Sequence, residues 1–261
     1  MKVALVAIVK QEDHLVEWCR YHMSLGFDKI FLYCNDWMPD YALPNSVDVI
    51  PRAGTRQQMK VYNDWIKVYG PSYDYVMFLD ADEFLYLVSW NKVQDMLKQV
   101  TDGQKSMVIN WVFFGSKEEP FMFHSVVRRF CYREDKVNKH VKTILKLGSG
   151  NYMVSPHNGN QVAVSPEHIK VEGPFNVAGT MINAFVAHYY YQDVRHWLKK
   201  VGRGRADSIR TRDNEIYDEH DHNKVFDPRL EKTYAKLLPN TELLARTHTT
   251  LNPGSNQRTI N

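Results

Sequence analysis

Cysteine is scarce in this sequence, and its placement excludes two kinds of small-protein framework. Cys19, Cys34 and Cys131 are an odd number of thiols with no metal-ligand spacing, so neither a disulfide scaffold nor a zinc site of cysteines is expected. Reduced thiols in a cytoplasmic setting are the simplest reading. Long apolar runs are missing as well. The N-terminal run Val3–Val9 is seven residues, shorter than a signal-peptide core and far short of a bilayer span, and it reads as a strand. Nor does charge of one sign predominate. A net charge of +3 over 261 residues is too small for a nucleic-acid partner, which demands a clustered basic face. Finally, G-x-x-x-x-G-K-[ST], G-x-S-x-G and H-E-x-x-H do not occur, and no G-x-G-x-x-G follows the first apolar run. P-loop, hydrolase-elbow, zincin and dinucleotide-binding readings fall away together.

The composition is ordinary in hydrophobic content (44%) but rich in rings, with 15 Tyr and 6 Trp. Such rings fill cores, and they also serve as partly polar platforms for sugars. Periodicity gives a strand at Val3–Val9, then a helix from residue 12 with Leu15, Trp18, Cys19, His22 and Leu25 on one face. Strands follow at 29–34 and 47–50. A second helix, capped by Thr55, carries Met59, Tyr62, Ile66 and Tyr69 on one face up to Gly70-Pro71. A fourth strand is expected at 75–79. The order β-α-β-β-α-β predicts a mostly parallel, mixed sheet flanked by helices in a single α/β domain over 1–245. Beyond residue 105 longer strands and loops take over, with a basic helix from Asp193, a shorter helix from Leu230 and a polar tail over 246–261.

One segment carries chemistry. In "YVMFLDADEFL" a buried-type strand ends in Asp80, Asp82 and Glu83, where sheets of this kind collect ligands. Three carboxylates so close repel one another unless something offsets them. Asp80 and Asp82 could do so by presenting oxygens to a hard divalent cation. The bland alternative is a solvated turn with Asp80 capping a following helix. His188 closes a strand-like stretch, and Lys199, Lys200, Arg203 and Arg205 follow on the basic helix, able to meet a diphosphate or simply to face solvent. Trp111, Phe113 and Phe114 could stack on a sugar or fill the core. Glu118 and Glu119 follow a Gly-Ser turn, where most exposed Glu pairs do nothing chemical.

Four ordered blocks make the chain resemble the GT-A-fold glycosyltransferases, specifically the family 92-like, family 2-related enzymes. They are "AIVKQEDHLVEWCRYHMSLGFDKIFLYCND", with Gln11 where Asn is usual, "YDYVMFLDADEFL", "NWVFFGS", and "AHYYYQDVRHWLKKVGRG" with Ala187 where Asn is usual. The resemblance spans roughly residues 3–207. It implies a metal-dependent inverting glycosyltransferase that moves a hexose from a nucleotide sugar, a UDP-hexose such as UDP-galactose, to a glycan or glycolipid acceptor. Bacterial surface polysaccharide or lipopolysaccharide synthesis is the expected setting, and Lys and Arg in the second half could hold the protein weakly at the inner face of an anionic membrane. Asp80, Asp82 and His188 would hold Mn²⁺ or Mg²⁺. Lys200 and Arg203 would neutralise phosphate, while Lys10, Glu12 and Asp36 would face the nucleotide. Residues 1–105 would form the nucleotide-sugar half and 106–245 the acceptor half. An inverting reaction needs a general base, for which Glu118, Glu119 and Asp193 are the candidates. The rival readings are a metal-dependent nucleotide-sugar phosphoesterase and a non-catalytic glycan-binding module.

Overall fold

The N-terminal run is strand β1 (Val3–Val9), buried at every position. Because side chains alternate along a strand, Val3, Leu5, Ala7 and Val9 enter one core with Trp18, Tyr21 and Phe84. Ala4, Val6 and Ile8 enter another with Tyr62, Trp65 and Phe78. A continuous apolar run is what a central strand covered on both faces requires.

A computed structural model describes residues 1–119, 125–205 and 221–238. After β1 come α1 (Leu15–Ser24), β2 (Lys29–Asn35), β3 (Val47–Arg52), α2 (Gln58–Tyr69), β4 (Tyr75–Phe78), β5 (Glu83–Leu87), α3 (Val93–Thr101) and β6 (Ser106–Phe113). The remainder comprises α4 (Val126–Arg129), β7 (Tyr132–Arg133), β8 (Val141–Lys146), β9 (Ala163–Val164), β10 (Lys170–Val171), β11 (Ala184–His188), α5 (Val194–Arg203), β12 (Val225–Phe226) and α6 (Arg229–Leu237).

The main sheet runs β10-β9-β6-β8-β4-β1-β2-β3. Its β4-β1-β2-β3 part is wholly parallel. Strand β8 runs antiparallel between β4 and β6, so β4 and β6 point the same way. Strand β11 is parallel to β6 and antiparallel to β5. This is the single-domain α/β fold with a mixed sheet and flanking helices that the pattern predicts. No helix among the described residues is long and apolar enough to cross a membrane.

Two local expectations change. Thr55 does not cap α2: the cap position is Gln57, in helical conformation and without a capping side-chain bond. Asp80 leads into a strand, not a helix. The amide of Glu83 donates to the carbonyl of Asp80 at 3.0 Å, and the chain turns at once into β5. The expected tail at 246–261 lies outside the described residues.

Candidate functional site

Asp80 and Asp82 sit in the tight turn that β4 makes before β5, and the turn fixes where each points. Asp80 accepts from Lys142 Nζ at 2.8 Å and from Gln58 Nε2 at 3.0 Å. Asp82 is buried, ion-paired with Lys200, and lies with Oδ1 at 3.7 Å from His188 Nε2. The β5–β11 pairing creates that last contact, because it sets His188 opposite Glu83. Glu83 is fully buried, with Lys142 Nζ at 3.1 Å. The repulsion among three neighbouring carboxylates therefore has a specific answer. Two buried lysines lie against them, and burial pushes the Glu83 carboxyl well up, against the pull of Lys142. Burial alone would also raise Asp82, but Lys200 and His188 more than reverse this and hold it well below the usual carboxylate range. Burial lowers His188, so its imidazole is neutral beside the charged Asp82. Lys142 goes the other way: Asp80 and Glu83 overcome its desolvation and raise it.

Helix α5 supplies the second wall. Asp193 caps it, accepting from the His196 amide at 2.7 Å, and Lys200 and Arg203 in its last turns reach the sheet edge. Lys200 Nζ also donates to the Tyr190 carbonyl at 2.8 Å. Arg203 clamps the end of β1 by donating to the carbonyls of Lys10 and Gln11 and pairing with Glu12. That turn is bent into the left-handed region, with φ of 53° at Gln11, a conformation Asn tolerates better than Gln. Burial raises the Glu12 carboxyl against the opposing pull of Arg203.

Between these walls lies a cavity of about 210 Å³, lined among others by Lys10, Glu12, Asp80, Asp82, His188, Lys200 and Arg203. With Trp111 and Arg205, nine of the residues singled out in the sequence thus share one cleft, at the carboxyl ends of β1 and β4. Its third wall contains Trp111, Pro156 and His157. Trp111 is not an open sugar platform: His140 stacks on it at 5.3 Å, and His188 and His157 approach at 4.5 and 4.9 Å. Phe113 stacks on His188 at 5.0 Å, and Phe114 is core.

The other candidates are held elsewhere. Asp36 lies outside the cavity lining and pins a loop, accepting from the Gly54 amide at 2.9 Å. Glu118 and Asp193 both grip Arg129, at 2.7 and 2.6 Å, and Asp193 is occupied as a cap. The Glu119 amide donates to the Arg129 carbonyl at 2.7 Å. None of the three lines the cavity. Conversely, Gln58, Lys142, His157 and Tyr190 belong to the site or its support, and the sequence motifs do not single them out. Lys142 had a signal: a lysine within the apolar strand pattern "HVKTILK" needs a buried partner.

For a divalent cation the donors fit in kind, since carboxylate oxygens and an imidazole nitrogen share one cleft. Among the described residues, however, no three His, Cys, Asp or Glu side chains converge as a metal-binding group. Asp82 and His188 form a pair, while Asp80 is turned toward Lys142 and Gln58. The His188 Nδ1 is buried without a hydrogen-bond partner among the described residues, so it lacks the outer support that metal-ligating histidines usually have.

No protein-family model matches the chain, and no curated protein does. Among solved structures it is similar to HddC from Yersinia pseudotuberculosis, at 10% identity and a TM-score of 0.34, over 56% of this chain and 74% of that one. A likeness that slight says nothing about chemistry.

Proposed function

We propose that the protein is a nucleotide-sugar-dependent glycosyltransferase that inverts the anomeric centre, with a UDP-hexose as donor and a glycan or glycolipid as acceptor. The observation that carries this reading is the convergence of Lys10, Lys200 and Arg203 on the Asp80–Asp82 turn at the carboxyl ends of β1 and β4. Such a cleft suits a group with several negative charges held beside carboxylates that set its orientation. A departing nucleoside diphosphate gains charge as its bond to the sugar breaks, and fixed cations in a partly dry cleft stabilise that charge. Lys200 is shared between Asp82 and the incoming phosphate. Arg203 keeps the β1 turn in register while presenting its charge to the cleft. Asp82 and His188, with Asp80 beside them, are the residues that would hold Mn²⁺ or Mg²⁺. Bound there, the ion supplies further positive charge to the diphosphate.

Calorimetric titration of UDP with and without Mn²⁺ tests the reading on wild type, Asp82→Ala and Arg203→Ala. Weaker UDP binding in Arg203→Ala and loss of the Mn²⁺ enhancement in Asp82→Ala are expected. Unchanged affinity in both would remove the diphosphate from this cleft. Donor turnover that is indifferent to sugar acceptors and yields hexose 1-phosphate and UMP would favour a phosphoesterase.

A further inference from the structure

Glu118, Glu119 and Asp193 lie away from the cavity; of the proton acceptors in its wall, Glu12, Asp80 and Asp82 are paired with Arg203, Lys142 and Lys200, and His188 lies against Asp82, which leaves His157. We propose that His157 is the general base, taking the acceptor hydroxyl proton on Nε2; the assignment rests on the glycosyl-transfer reading. Its ring Nδ1 lies 3.0 Å from the carbonyl of Val141. A carbonyl only accepts, so Nδ1 carries the hydrogen and Nε2 is left with a lone pair. The residue is held at both ends: its amide donates to Ser155 Oγ at 3.1 Å, and its carbonyl accepts from Thr143 Oγ1 at 2.7 Å. The loop bearing it lies so close to β8 that a Cβ on Gly159 would come within 2.5 Å of Leu145 Cδ1. Glycine there lets the loop seat the imidazole against the cleft.

Position on the sheet gives the direction of attack. His157 is anchored on β8, and Arg203 is anchored on the end of β1. In the sheet β4 runs between those two strands, so the Asp80–Asp82 turn separates the imidazole from the cationic wall. Inversion requires that arrangement, with the base on the face opposite the leaving group. Burial, helped by Lys142 and His140 and opposed by Asp80, lowers the imidazole to about 4. It is therefore neutral in neutral solution and comparable in base strength with a free carboxylate. The step balances without another reactant. The acceptor O–H proton passes to Nε2, and the oxygen bonds to the anomeric carbon. The bond from that carbon to the diphosphate oxygen breaks, and its electron pair leaves with the nucleoside diphosphate. Solvent then takes the proton from the imidazolium.

The test uses the full chain with His157→Gln and His157→Ala, measuring transfer to acceptor, UDP affinity and rescue by added imidazole. His157→Gln is read in place of His157→Ala if the latter does not fold, since its amide can still donate toward Val141. In either variant kcat should fall by about a hundredfold or more while UDP affinity stays near wild type. Imidazole should restore part of the turnover in His157→Ala and none in Asp82→Ala. Wild-type kcat in His157→Gln overturns the assignment, as does an equal loss of kcat and UDP affinity without rescue. A wild-type protein that binds no UDP and transfers from no donor overturns the glycosyl-transfer reading and this assignment together. Normal wild-type transfer with a normal His157→Gln overturns the assignment alone.

Discussion

Lys142 has no exposed side-chain surface, yet it lies against both Asp80 and Glu83. Removing it leaves carboxylates in a dry site without their cation, and breaking a buried pair from one side typically costs about 3–5 kcal/mol. Lys142→Met should therefore lower the unfolding free energy measured by urea denaturation by an amount in that range. Adding Glu83→Gln, which removes one of the stranded carboxyls, should recover part of the loss in a double-mutant cycle. Strict additivity of the two changes would deny the coupling. A second buried carboxylate gives a pH signature. Burial pushes Asp227 up, but Arg229 and Arg133 reverse this and leave it at about 2. A depressed carboxyl contributes stability above its unfolded value of 3.8, and that contribution is lost as pH falls through the folded value. Asp227→Asn should thus be less stable than wild type at pH 7, by on the order of 2 kcal/mol, with the gap closing as pH falls from about 4 toward 2. Urea midpoints of both proteins across that range check the sign. A gap independent of pH would show that the two arginine contacts do not depend on the carboxylate's charge.

Helix α5 depends on its first residue as much as on its last. Asp193 caps it and grips Arg129 at 2.6 Å, so Asp193→Ala should destabilise the fold by about 1–2 kcal/mol. Turnover per folded molecule should persist, because this carboxylate faces Arg129 and not the cleft. Denaturation and kcat measured on one preparation separate the two, and a hundredfold loss of kcat would return Asp193 to the chemistry. Elements of this kind are partly legible in the sequence. Strands β1, β2 and β4 announce themselves because burial on both faces demands unbroken apolar runs, and α5 begins where Asp193 says it should. Helix α3 is absent from the sequence-based expectation although Val93, Met96, Leu97 and Val100 follow helical spacing and are buried. Strand β5 is hidden because its pairing with β11 reaches about a hundred residues ahead, beyond what local pattern can carry. Lys142 is a similar case, since its partner Asp80 lies 62 residues away. His157 sits in a loop, where there is no period to read, and only the Val141 carbonyl reveals its tautomer.

At the scale of the molecule, one sheet runs through both expected halves, and residues from each line the cleft. Local stability should follow sheet order. Strands β1 and β4 lie inside the sheet and are buried at every position, while β9 and β10 are two-residue strands at one end of it. Hydrogen exchange should be slowest in β1 and β4, near the global unfolding limit, and fast in β9 and β10. Equal protection across these four strands would contradict that ranking.

The long reach of α5 bears on how the chain is made. A ribosome releases Asp82 well before Lys200, which comes 118 residues later. At about 5–20 residues per second the gap lasts roughly 6 to 24 seconds. Glu12 waits longer still, for Arg203, 191 residues downstream. Throughout that interval the nascent β1 and β4 ends carry acids whose cations do not yet exist. The cleft therefore cannot reach its final charge balance until the C-terminal quarter has emerged, and any product truncated before residue 200 leaves Asp82 without its lysine.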